Sequence, residues 1–514
     1  MFGQSVTTLN KNAFKSCTSV TGIALNSVIK IGESAFEGLE KLKDLTIPAN
    51  VNEIHHTSFK NSGLSKVTYG GMLEPIPCES DAFDNDFSDV YVPTGYKNAS
   101  FCGKKPIEMG VCGDGCSYIY YYDGNILAIA GGSMFETWTS WENTPWNGTI
   151  AQTKKVTITD TTNIAQHAFD NAKELEEIIF GNSVTSIGES AFKDCVKLKS
   201  ISLTQYITTI GENAFDNCDT IESISIIEGT TTIGNGAFGN MDNLKHVEFP
   251  RSVTSTNTAV FTGSNQLSKI TITGNGEMQN YEVDAQPWQS IKSQITTINF
   301  AKGITSIGNN AFNGFTQINS IEWGTTVKTI GTNAFNGCIG IPSIIFPESI
   351  ETIGSGSFNG CTKISSIKFN SVKTIKENAF FGCTSLTEVI LPSSTTSIEQ
   401  NAFKGITGLK KVEYQGATDA CADVEAFDKE IIKYAEVYIT YGSKGFCGLI
   451  PRTKGICGKN NNEEDCSFVY YHDNVTLDIQ GNGDMDDYTL EKPALWKSKN
   501  TQIETIQIGC ITRI

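Results

Sequence analysis

The chain has 514 residues, of which 39% are hydrophobic and 18% charged, and its 39 basic against 56 acidic side chains give a net charge of −17. This length exceeds what one hydrophobic core organises, so several domains or a repeat array are expected. The acidic balance, with no basic stripe, argues against nucleic-acid and anionic-membrane partners. The sequence also has no apolar run of about 20 residues that could span a bilayer and no signal segment at Met1.

An Ala-Phe pair or a close variant recurs from the first residues onward at intervals of 22 to 24 residues. The unit reads V-T-x-I-G-x-x-A-F-x-G/N-C-x-x-L-x-x-I-x-L. In the copy at 184–203, Ile201 and Leu203 alternate with Ser200 and Ser202, which predicts a short strand with one buried face. The Phe positions are Phe14, Phe36, Phe59, Phe83, Phe169, Phe192, Phe215, Phe238, Phe261, Phe312, Phe335, Phe358, Phe380, Phe403 and Phe427.

Gly or Asn stands two residues after the Phe in many copies, which predicts a left-handed turn position there. One unit cannot cover its own apolar side, whereas stacked units share a continuous core. Strands of successive coils would then lie about 4.8 Å apart in a parallel sheet. The sequence therefore predicts a repeat solenoid in which each coil of about 23 residues supplies a β-strand and a short helix or turn.

Three stretches interrupt the repeat, at 131–146, 274–288 and 481–496, and each runs Gly, Met, then Pro and Trp. Glycine turns with a buried Met and Trp indicate a small β unit that caps one array and starts the next. The first and third stretches are preceded by a longer segment that contains cysteines.

The repeat unit resembles the BspA-like class of leucine-rich repeats, found in surface proteins of microbes that live on hosts. The resemblance covers all three repeat blocks and extends to the interruptions. It implies a leucine-rich-repeat-like solenoid with a role in adhesion or recognition at the cell surface, and it implies no catalytic residues.

The expected organisation is three arrays separated by inserts. It comprises array 1 at 1–96 with four coils, a Cys-containing β insert at 97–150, array 2 at 151–262 with five coils, a short β insert at 263–298, array 3 at 299–430 with six coils, a second Cys-containing β insert at 431–500 and the start of a further array at 501–514.

The cysteines of the two longer inserts form two tetrads, for which disulfides, free thiols and zinc are the alternatives. The last pair of a tetrad is separated by three residues in one copy and eight in the other. A zinc site needs tightly spaced pairs, whereas a disulfide-closed hairpin tolerates a change in loop length, so disulfides are favoured. Each tetrad allows three pairings, among which sequence cannot choose. The candidates are Cys78, Cys102, Cys112, Cys116, Cys421, Cys447, Cys457 and Cys466.

The coils carry a different kind of cysteine, three residues after the Phe, as at Cys195. Other coils have Leu39, Ala172 or Phe315 at this position. A nucleophile or metal ligand could not be exchanged in this way, so we interpret Cys195 as a small buried hydrophobic residue.

Nothing in the sequence indicates catalysis. Only five histidines are present, and no G-x-S-x-G, H-E-x-x-H, phosphate-binding or dinucleotide motif occurs. We therefore expect no enzyme activity, no cofactor and no metal site.

The outward-facing residues of successive strands form a ladder across the sheet, and solenoids use such extended faces to bind partners. The ladder is rich in serine and mixed in charge, which equally suits a solvated surface. Insert aromatics, among them Trp138, Trp141, Tyr118, Tyr120 and Tyr121, are an alternative contact patch that we expect to lie partly in the core. The ladder candidates are Lys66, Ser200, Ser202, Ser223, Ser225, His246, Glu248, Ser320 and Glu322.

Three N-x-S/T acceptors, Asn98, Asn147 and Asn474, lie in or beside the inserts and favour an exported protein. Because both ends of the sequence match the interior of a coil, we expect a fragment. The expected function is a secreted or cell-surface solenoid that binds an extracellular protein or glycan, with host-cell ligands among the candidates. The alternative is an intracellular interaction scaffold.

Overall fold

The structure is a computed structural model that describes residues 6–87, 89–98, 100–134, 138–254, 257–421, 425–432, 435–440, 446–447, 452–456, 467–471, 476–480 and 505–508. It confirms the predicted solenoid. The chain forms two compact units, Met1–Leu244 with Ala259–Gln266, and Lys245–Thr258 with Leu267–Ile514.

Each coil runs from a two-residue strand through a turn to a longer strand. In the copy containing Phe215, the strand Thr209–Ile210 is followed by Gly211, where a Cβ atom would lie 2.6 Å from main-chain atoms of the preceding coil. The glycine of the T-x-I-G motif is thus required by close stacking of coils. The main-chain N–H of Phe192 donates to the oxygen of Ala214 in the next coil at 2.8 Å, so neighbouring turns are joined as well as neighbouring strands.

The left-handed position two residues after the Phe is confirmed, with φ between 62° and 73° at Asn217, Gly314, Gly337, Gly360 and Gly382. A second left-handed position, two residues before the Phe, was not predicted from the sequence. It is often asparagine, the non-glycine residue that adopts this conformation most readily. Examples are Asn213, Asn310, Asn333, Asn378 and Asn401, with φ of 52° to 57°.

In the first unit, short strands pair with short strands and longer strands with longer ones. The short parallel strands are Thr8–Leu9, Lys30–Ile31 and Glu53–Ile54 in one sheet, and Asn163–Ile164, Ser186–Ile187, Thr209–Ile210 and Thr232–Ile233 in another. The longer strands lie in the order Asp44–Ile47, Lys66–Tyr69, Val90–Pro93, Pro106–Asp114, Cys116–Tyr121, Ile126–Ala130, Lys155–Thr159 and Glu177–Phe180. Ser133–Met134 pairs antiparallel with Pro106–Asp114, and Ser223–Ser225 is a further strand.

The predicted strand ending at Leu203 is wrong as a strand, although its alternation is right. Ile201 and Leu203 are buried while Ser200 and Ser202 are exposed. The segment makes only an isolated bridge, from Ser202 to Ser225, so side-chain burial rather than a hydrogen-bonded ladder holds it in place.

The second unit repeats this arrangement. Its short strands are Gly276–Glu277, Ile304–Ile307, Thr329–Ile330, Thr352–Ile353, Thr374–Ile375 and Ser397–Ile398. Its longer strands are His246–Pro250, Lys269–Thr273, Thr297–Phe300 and Ser320–Glu322 in one sheet, Ser343–Ile345 and Ser366–Lys368 in a second, and Glu388–Leu391, Lys411–Tyr414, Glu436–Thr440, Arg452–Ile456, Ser467–Tyr471, Thr476–Gln480 and Thr505–Ile508 in a third.

The helices of the described residues are short. They are the 3₁₀ turns Trp141–Asn143, Ile150–Gln152 and Gln289–Ile291 and the α-helical turn Lys429–Ile432. No helix in the described ranges has the length and apolar character of a membrane-crossing segment.

The recurrent phenylalanines stack with near-parallel rings in columns through the core, which explains why this position is aromatic in coil after coil. Neighbouring ring centroids lie 5.0 to 6.0 Å apart and are near-parallel, and such pairs add about 0.5–1.5 kcal/mol each beyond their burial. The columns are Phe14–Phe36–Phe59–Phe83 and Trp146–Phe169–Phe192–Phe215–Phe238–Phe261 in the first unit, and Trp288–Phe312–Phe335–Phe358–Phe380–Phe403–Phe427 in the second.

Two insert tryptophans take the place of the phenylalanine. Trp146 stacks on Phe169 and Trp288 on Phe312, both at 5.4 Å, and both indoles are fully buried. Each indole N–H donates to a main-chain oxygen of the next coil, at 2.7 and 2.9 Å. The two tryptophans are buried, as predicted, and each begins the ring column of the array that follows its insert.

The two Cys-containing inserts share one topology. In the first, Cys116–Tyr121 runs antiparallel between Pro106–Asp114 and Ile126–Ala130, and the parallel sheet then resumes. In the second, Ser467–Tyr471 runs antiparallel between Arg452–Ile456 and Thr476–Gln480. Each insert is a three-stranded meander built into the sheet of its own unit.

Candidate functional site

The strand Pro106–Asp114 of the first insert has its apolar side chains on the outside. Ile107, Met109 and Val111 point away from the core, and Met109 and Val111 are 44% and 66% exposed. The intervening Glu108 is buried at 2% exposure. Sheets with one solvated face normally show the opposite pattern, so this strand is unusual in both its burial and its exposure.

Pairing with the neighbouring strand Val90–Pro93 fixes this orientation. Tyr91 lies opposite Ile107, and Val92 lies opposite Glu108. Paired residues of adjacent strands share a face of the sheet, and Val92 is buried. A shift of one residue would place Glu108 outside but would break the register with the array.

Exposed and half-buried apolar residues continue across the meander on this face, here called the outer patch. Along one row, Met109 lies opposite Ile119, which lies opposite Ala128. Contiguous exposed apolar surface of this kind marks interaction sites in soluble proteins. The outer patch comprises Tyr91, Ile107, Met109, Val111, Ile119, Tyr121, Ile126, Ala128 and Ile179.

A lysine lies over a tyrosine at the start of both meanders. The Lys66 ammonium is 5.0 Å from the ring centroid of Tyr91, and the Lys411 ammonium is 6.0 Å from that of Tyr438. Such contacts contribute about 0.5–1 kcal/mol at exposed sites. Lys66, one of the predicted ligand-face residues, therefore borders the outer patch.

The second meander has the same register but different residues. Tyr438 lies opposite Arg452 just as Tyr91 lies opposite Ile107. By the same count, Lys454 stands at the position of Met109. Two apolar positions of the outer patch are thus charged residues in the second insert, Arg452 and Lys454.

Disulfides join the cysteines of the inserts at matching places. One links the loop after a strand of the array to the entry of the meander in each unit, and another closes the hairpin tip of the first meander. The pairs are Cys78–Cys102, Cys421–Cys447 and Cys112–Cys116, with Cα atoms 4.6, 4.7 and 5.1 Å apart. The remaining candidates, Cys457 and Cys466, lie outside the described residues.

A carboxylate receives the main-chain N–H of the second cysteine in both long-range bridges. Glu74 accepts from Cys102 at 2.5 Å, and Asp419 accepts from Cys447 at 2.9 Å. Asp419, Cys421 and Cys447 lie close enough together to hold a metal ion. The sulfurs of Cys421 and Cys447 are bonded to each other, so neither cysteine offers a thiolate as a metal ligand.

The insert aromatics divide between core and surface. Tyr118, Tyr120 and Trp138 are buried, Trp141 is half-buried, and Tyr121 is 38% exposed. This agrees with the expectation that the aromatic patch lies partly in the core, and it leaves Tyr121 as a member of the outer patch.

Glu108 is held inside by tyrosines. The Tyr118 hydroxyl donates to its Oε1 at 3.1 Å and the Tyr122 hydroxyl to its Oε2 at 3.2 Å. Burial raises the pKa of the Glu108 carboxyl above its ordinary value, although these hydrogen bonds oppose the shift. Nothing in its sequence context predicted a buried carboxyl group at this position.

Four serines of the predicted ladder, Ser200, Ser202, Ser223 and Ser225, lie in the first unit. Ser200, Ser202 and Ser223 are exposed and Ser225 is half-buried. The surface they form is hydroxylated and carries none of the large aromatic or arginine anchors that dominate protein interfaces.

The other predicted ladder residues share one sheet of the second unit. Along the paired strands, His246 and Ser320 lie in one row, and Glu248 and Glu322 lie in the next. The Lys269 ammonium lies 3.7 Å from the Glu322 carboxylate. Burial, and secondarily Lys269, lowers the pKa of the histidine. These residues are His246, Ser320, Glu248 and Glu322.

Two of the glycosylation candidates are described. Asn98 is half-buried and its side-chain oxygen accepts from the main-chain N–H of Glu74 at 3.0 Å. Asn147 is exposed and donates to the oxygen of Glu142 at 2.6 Å. Asn474 lies outside the described residues.

The coil cysteines have a structural role that the sequence did not reveal. The Cys195 thiol donates to the main-chain oxygen of Phe169 at 3.3 Å, and Ser264 makes the equivalent bond to Phe238 at 2.8 Å. Burial raises the pKa of the Cys195 thiol, which makes it a poor nucleophile at neutral pH. Buried cysteines at this position are Cys195, Cys218, Cys338, Cys361 and Cys383.

Comparison with solved structures finds several bacterial leucine-rich-repeat proteins. A leucine-rich repeat protein from Eubacterium ventriosum is 20% identical, covers 66% of this chain and 95% of its own, and has a TM-score of 0.30. One from Bacteroides ovatus is 21% identical, covers 62% and 96%, and scores 0.25. A leucine rich cell surface protein from Faecalibacterium prausnitzii is 20% identical, covers 59% and 93%, and scores 0.21.

Comparison with curated protein sequences finds no significant match. The model of the "BspA type Leucine rich repeat region" matches six copies, over residues 1–88, 157–282 and 289–417. These ranges cover more than half of the sequence and coincide with the coils that carry the stacked phenylalanines. The chain belongs to the BspA-type leucine-rich-repeat family.

Proposed function

We propose that this chain is a non-catalytic recognition protein, secreted or displayed at the cell surface, that binds an extracellular protein through the outer patch. Family membership supports a repeat protein that serves protein interaction. The observation that carries the proposal is the strand Pro106–Asp114, which exposes Ile107, Met109 and Val111 while it buries Glu108.

The chemistry of the outer patch favours a protein over a glycan as its ligand. Met109, Val111 and Ile179 are exposed and offer no hydrogen-bonding side chain. A protein interface has an apolar centre within a polar rim. Here Lys155 and Glu177, an ion pair at 3.0 Å, and Lys66 provide such a rim.

Export is supported by the disulfides and by the position of the glycosylation candidates. Disulfides persist in oxidising compartments and are rare in the cytosol. The bridges Cys78–Cys102 and Cys421–Cys447 hold both meanders to their arrays. Asn147 is exposed in the first insert, where an attached glycan would be tolerated.

We also propose that the inserts are the specialised parts of the chain and that the arrays at 1–96, 151–262 and 299–430 are scaffold. The inserts at 97–150, 263–298 and 431–500 differ from one another in sequence, whereas the coils repeat the same core positions. The serine ladder and the sheet with His246 are secondary candidate surfaces.

Two measurements test the proposal. Surface biotinylation of intact source cells should label the protein, and a cytosolic marker should stay unlabelled as the control. Purified full chain should bind at least one member of an immobilised panel of fibronectin, laminin, fibrinogen and collagen. Labelling that appears only after lysis would contradict the location and favour the intracellular scaffold, and turnover of any substrate would contradict the non-catalytic assignment.

A further inference from the structure

A cleft opens on the inner side of the first meander, apart from the outer patch. Its volume is about 410 Å³, within the range of small-molecule sites. Its lining includes Tyr96, Lys97, Glu108, Tyr122, Thr149 and Gln152.

The cleft exists because the meander adds strands without adding coils. The strands Pro106–Asp114, Cys116–Tyr121 and Ile126–Ala130 lengthen the sheet by about 14 Å at the usual spacing of about 4.8 Å. The column of stacked rings is interrupted over this span, between Phe83 and Trp146. Tyrosines fill part of the gap, and the rest is open.

The cleft lining is polar and aromatic. Among the described residues that line it, no side chain is aliphatic. The Tyr122 ring is half-buried, and its hydroxyl donates to the buried Glu108. Gln152 adds an amide, and Thr149 adds a hydroxyl that donates to the main-chain oxygen of Trp146 at 3.1 Å. Such a lining suits a ligand rich in hydroxyl groups with an apolar ring face to stack on tyrosine.

The fold of the meander does not require these residues. The second meander has the same topology, but its sequence has Thr453, Phe468 and His472 where the first has Glu108, Tyr118 and Tyr122. A carboxyl group is costly to bury, and the second copy dispenses with it and with both of its hydroxyl partners. Retention of the whole group in one copy points to a role beyond folding.

We propose that this cleft binds a neutral saccharide, the terminal mono- or disaccharide of a glycan. Glu108 and Tyr122 form hydrogen bonds to its hydroxyl groups, the Tyr122 ring stacks on its apolar face, and the Gln152 amide forms a further hydrogen bond. A phosphorylated or sulfated ligand fits less well, because Lys97 is the one basic residue among the described residues that line the cleft. The proposal goes beyond protein binding at the outer patch and does not depend on it.

The test uses full chain produced in a bacterial host, so that Asn98 carries no glycan beside the cleft. The probe is an array of defined oligosaccharides with neutral, sialylated and sulfated termini. The test variant, Glu108→Thr with Tyr118→Phe, copies the second meander. The matched control, Ile107→Arg with Met109→Lys, introduces the residues of the second meander on the outer face of the sheet, away from the cleft.

Wild type and the control should bind the same neutral oligosaccharides, and the test variant should bind them at least about tenfold more weakly, as expected when buried hydrogen-bonding groups are lost. Tyr122→His, a single change, should weaken binding in the same direction if the double variant folds poorly. No binding by wild type to any neutral member overturns the proposal. Equal binding by wild type and both variants overturns it, as does selective binding of sulfated members that Lys97→Gln abolishes.

Discussion

The thiol of Cys195 donates a hydrogen bond to the main-chain oxygen of Phe169, one coil earlier in the stack. The position therefore does more than fill space, because it joins adjacent turns beside the stacked rings. Ser264 makes the same bond to Phe238, while Ala172 occupies the position without one. Stability should depend on both the volume and the donor at this site.

Cys195→Ala should fold and lose about 1–2 kcal/mol of unfolding free energy, since it leaves a small cavity and removes a weak donor. Cys195→Ser should lose less than Cys195→Ala, because the hydroxyl can keep the bond that Ser264 makes in its own coil. Urea unfolding of both variants beside wild type measures this. Equal losses for Ala and Ser would show that the hydrogen bond contributes nothing.

Trp146 begins its ring column and should matter more than its neighbour in the same insert. Trp146→Ala should cost about 3–5 kcal/mol, as for buried aromatic truncations generally. Trp146→Phe should restore most of that loss, because it places in the insert the residue that the coils use. Trp141→Ala, at a half-buried indole, is the control and should cost less than about 1 kcal/mol. Similar losses at the two tryptophans would contradict the role of Trp146 in the column.

The cysteines should separate into bonded and protected groups. Intact mass should rise on reduction by two hydrogens for each bridge, and peptide mapping should recover the pairs Cys78–Cys102, Cys112–Cys116 and Cys421–Cys447. A thiol reagent should label the exposed Cys17 in the native protein, whereas the buried Cys195 should react only after unfolding. Free Cys78 and Cys102 in protein isolated from its native location would contradict export.

Glu108 predicts a pH dependence of stability. Its pKa is raised by burial above the ordinary 4.5, so the folded chain keeps this proton at pH values where the unfolded chain has lost it. Unfolding then releases a proton, and the contribution of this group falls as pH rises from 4.5 through the folded pKa. Glu108→Gln should reduce the fall in thermal stability as pH rises above 4.5, and its stability relative to wild type should increase with pH. Parallel curves for variant and wild type would exclude this coupling.

The fold of the coil could be predicted from the sequence because the residues that determine it are close in sequence and recur in every copy. Alternation placed Ile201 and Leu203 inside, and glycine after the Phe signalled a left-handed residue, as found at Gly314 and Gly337. The place of the insert tryptophans in the ring columns was missed, although the signal was present: Trp146 precedes Phe169 by 169 − 146 = 23 residues, one coil length.

The outer patch was not readable in the same way. The segment from Pro106 to Val111 alternates, and local hydrophobicity would bury Ile107 and Met109 and expose Glu108. The register with Val90–Pro93 determines which of these side chains are buried. Register depends on pairing between separate segments, so the local sequence does not reveal it. Comparison of the two inserts position by position offered a hint, because the second has Arg452 and Lys454 where the first has apolar residues.

Binding of the outer-patch variant is the most direct test of the central claim. Ile107→Arg with Met109→Lys replaces the exposed apolar centre with the residues of the second meander, so the fold should be kept. Affinity for the extracellular protein that wild type binds should fall at least about tenfold, the range expected when central interface residues are lost. The thermal midpoint should not change, and Glu108→Thr with Tyr118→Phe should bind that protein like wild type. Undiminished binding by a folded Ile107→Arg, Met109→Lys chain would contradict the claim that this surface is the recognition site.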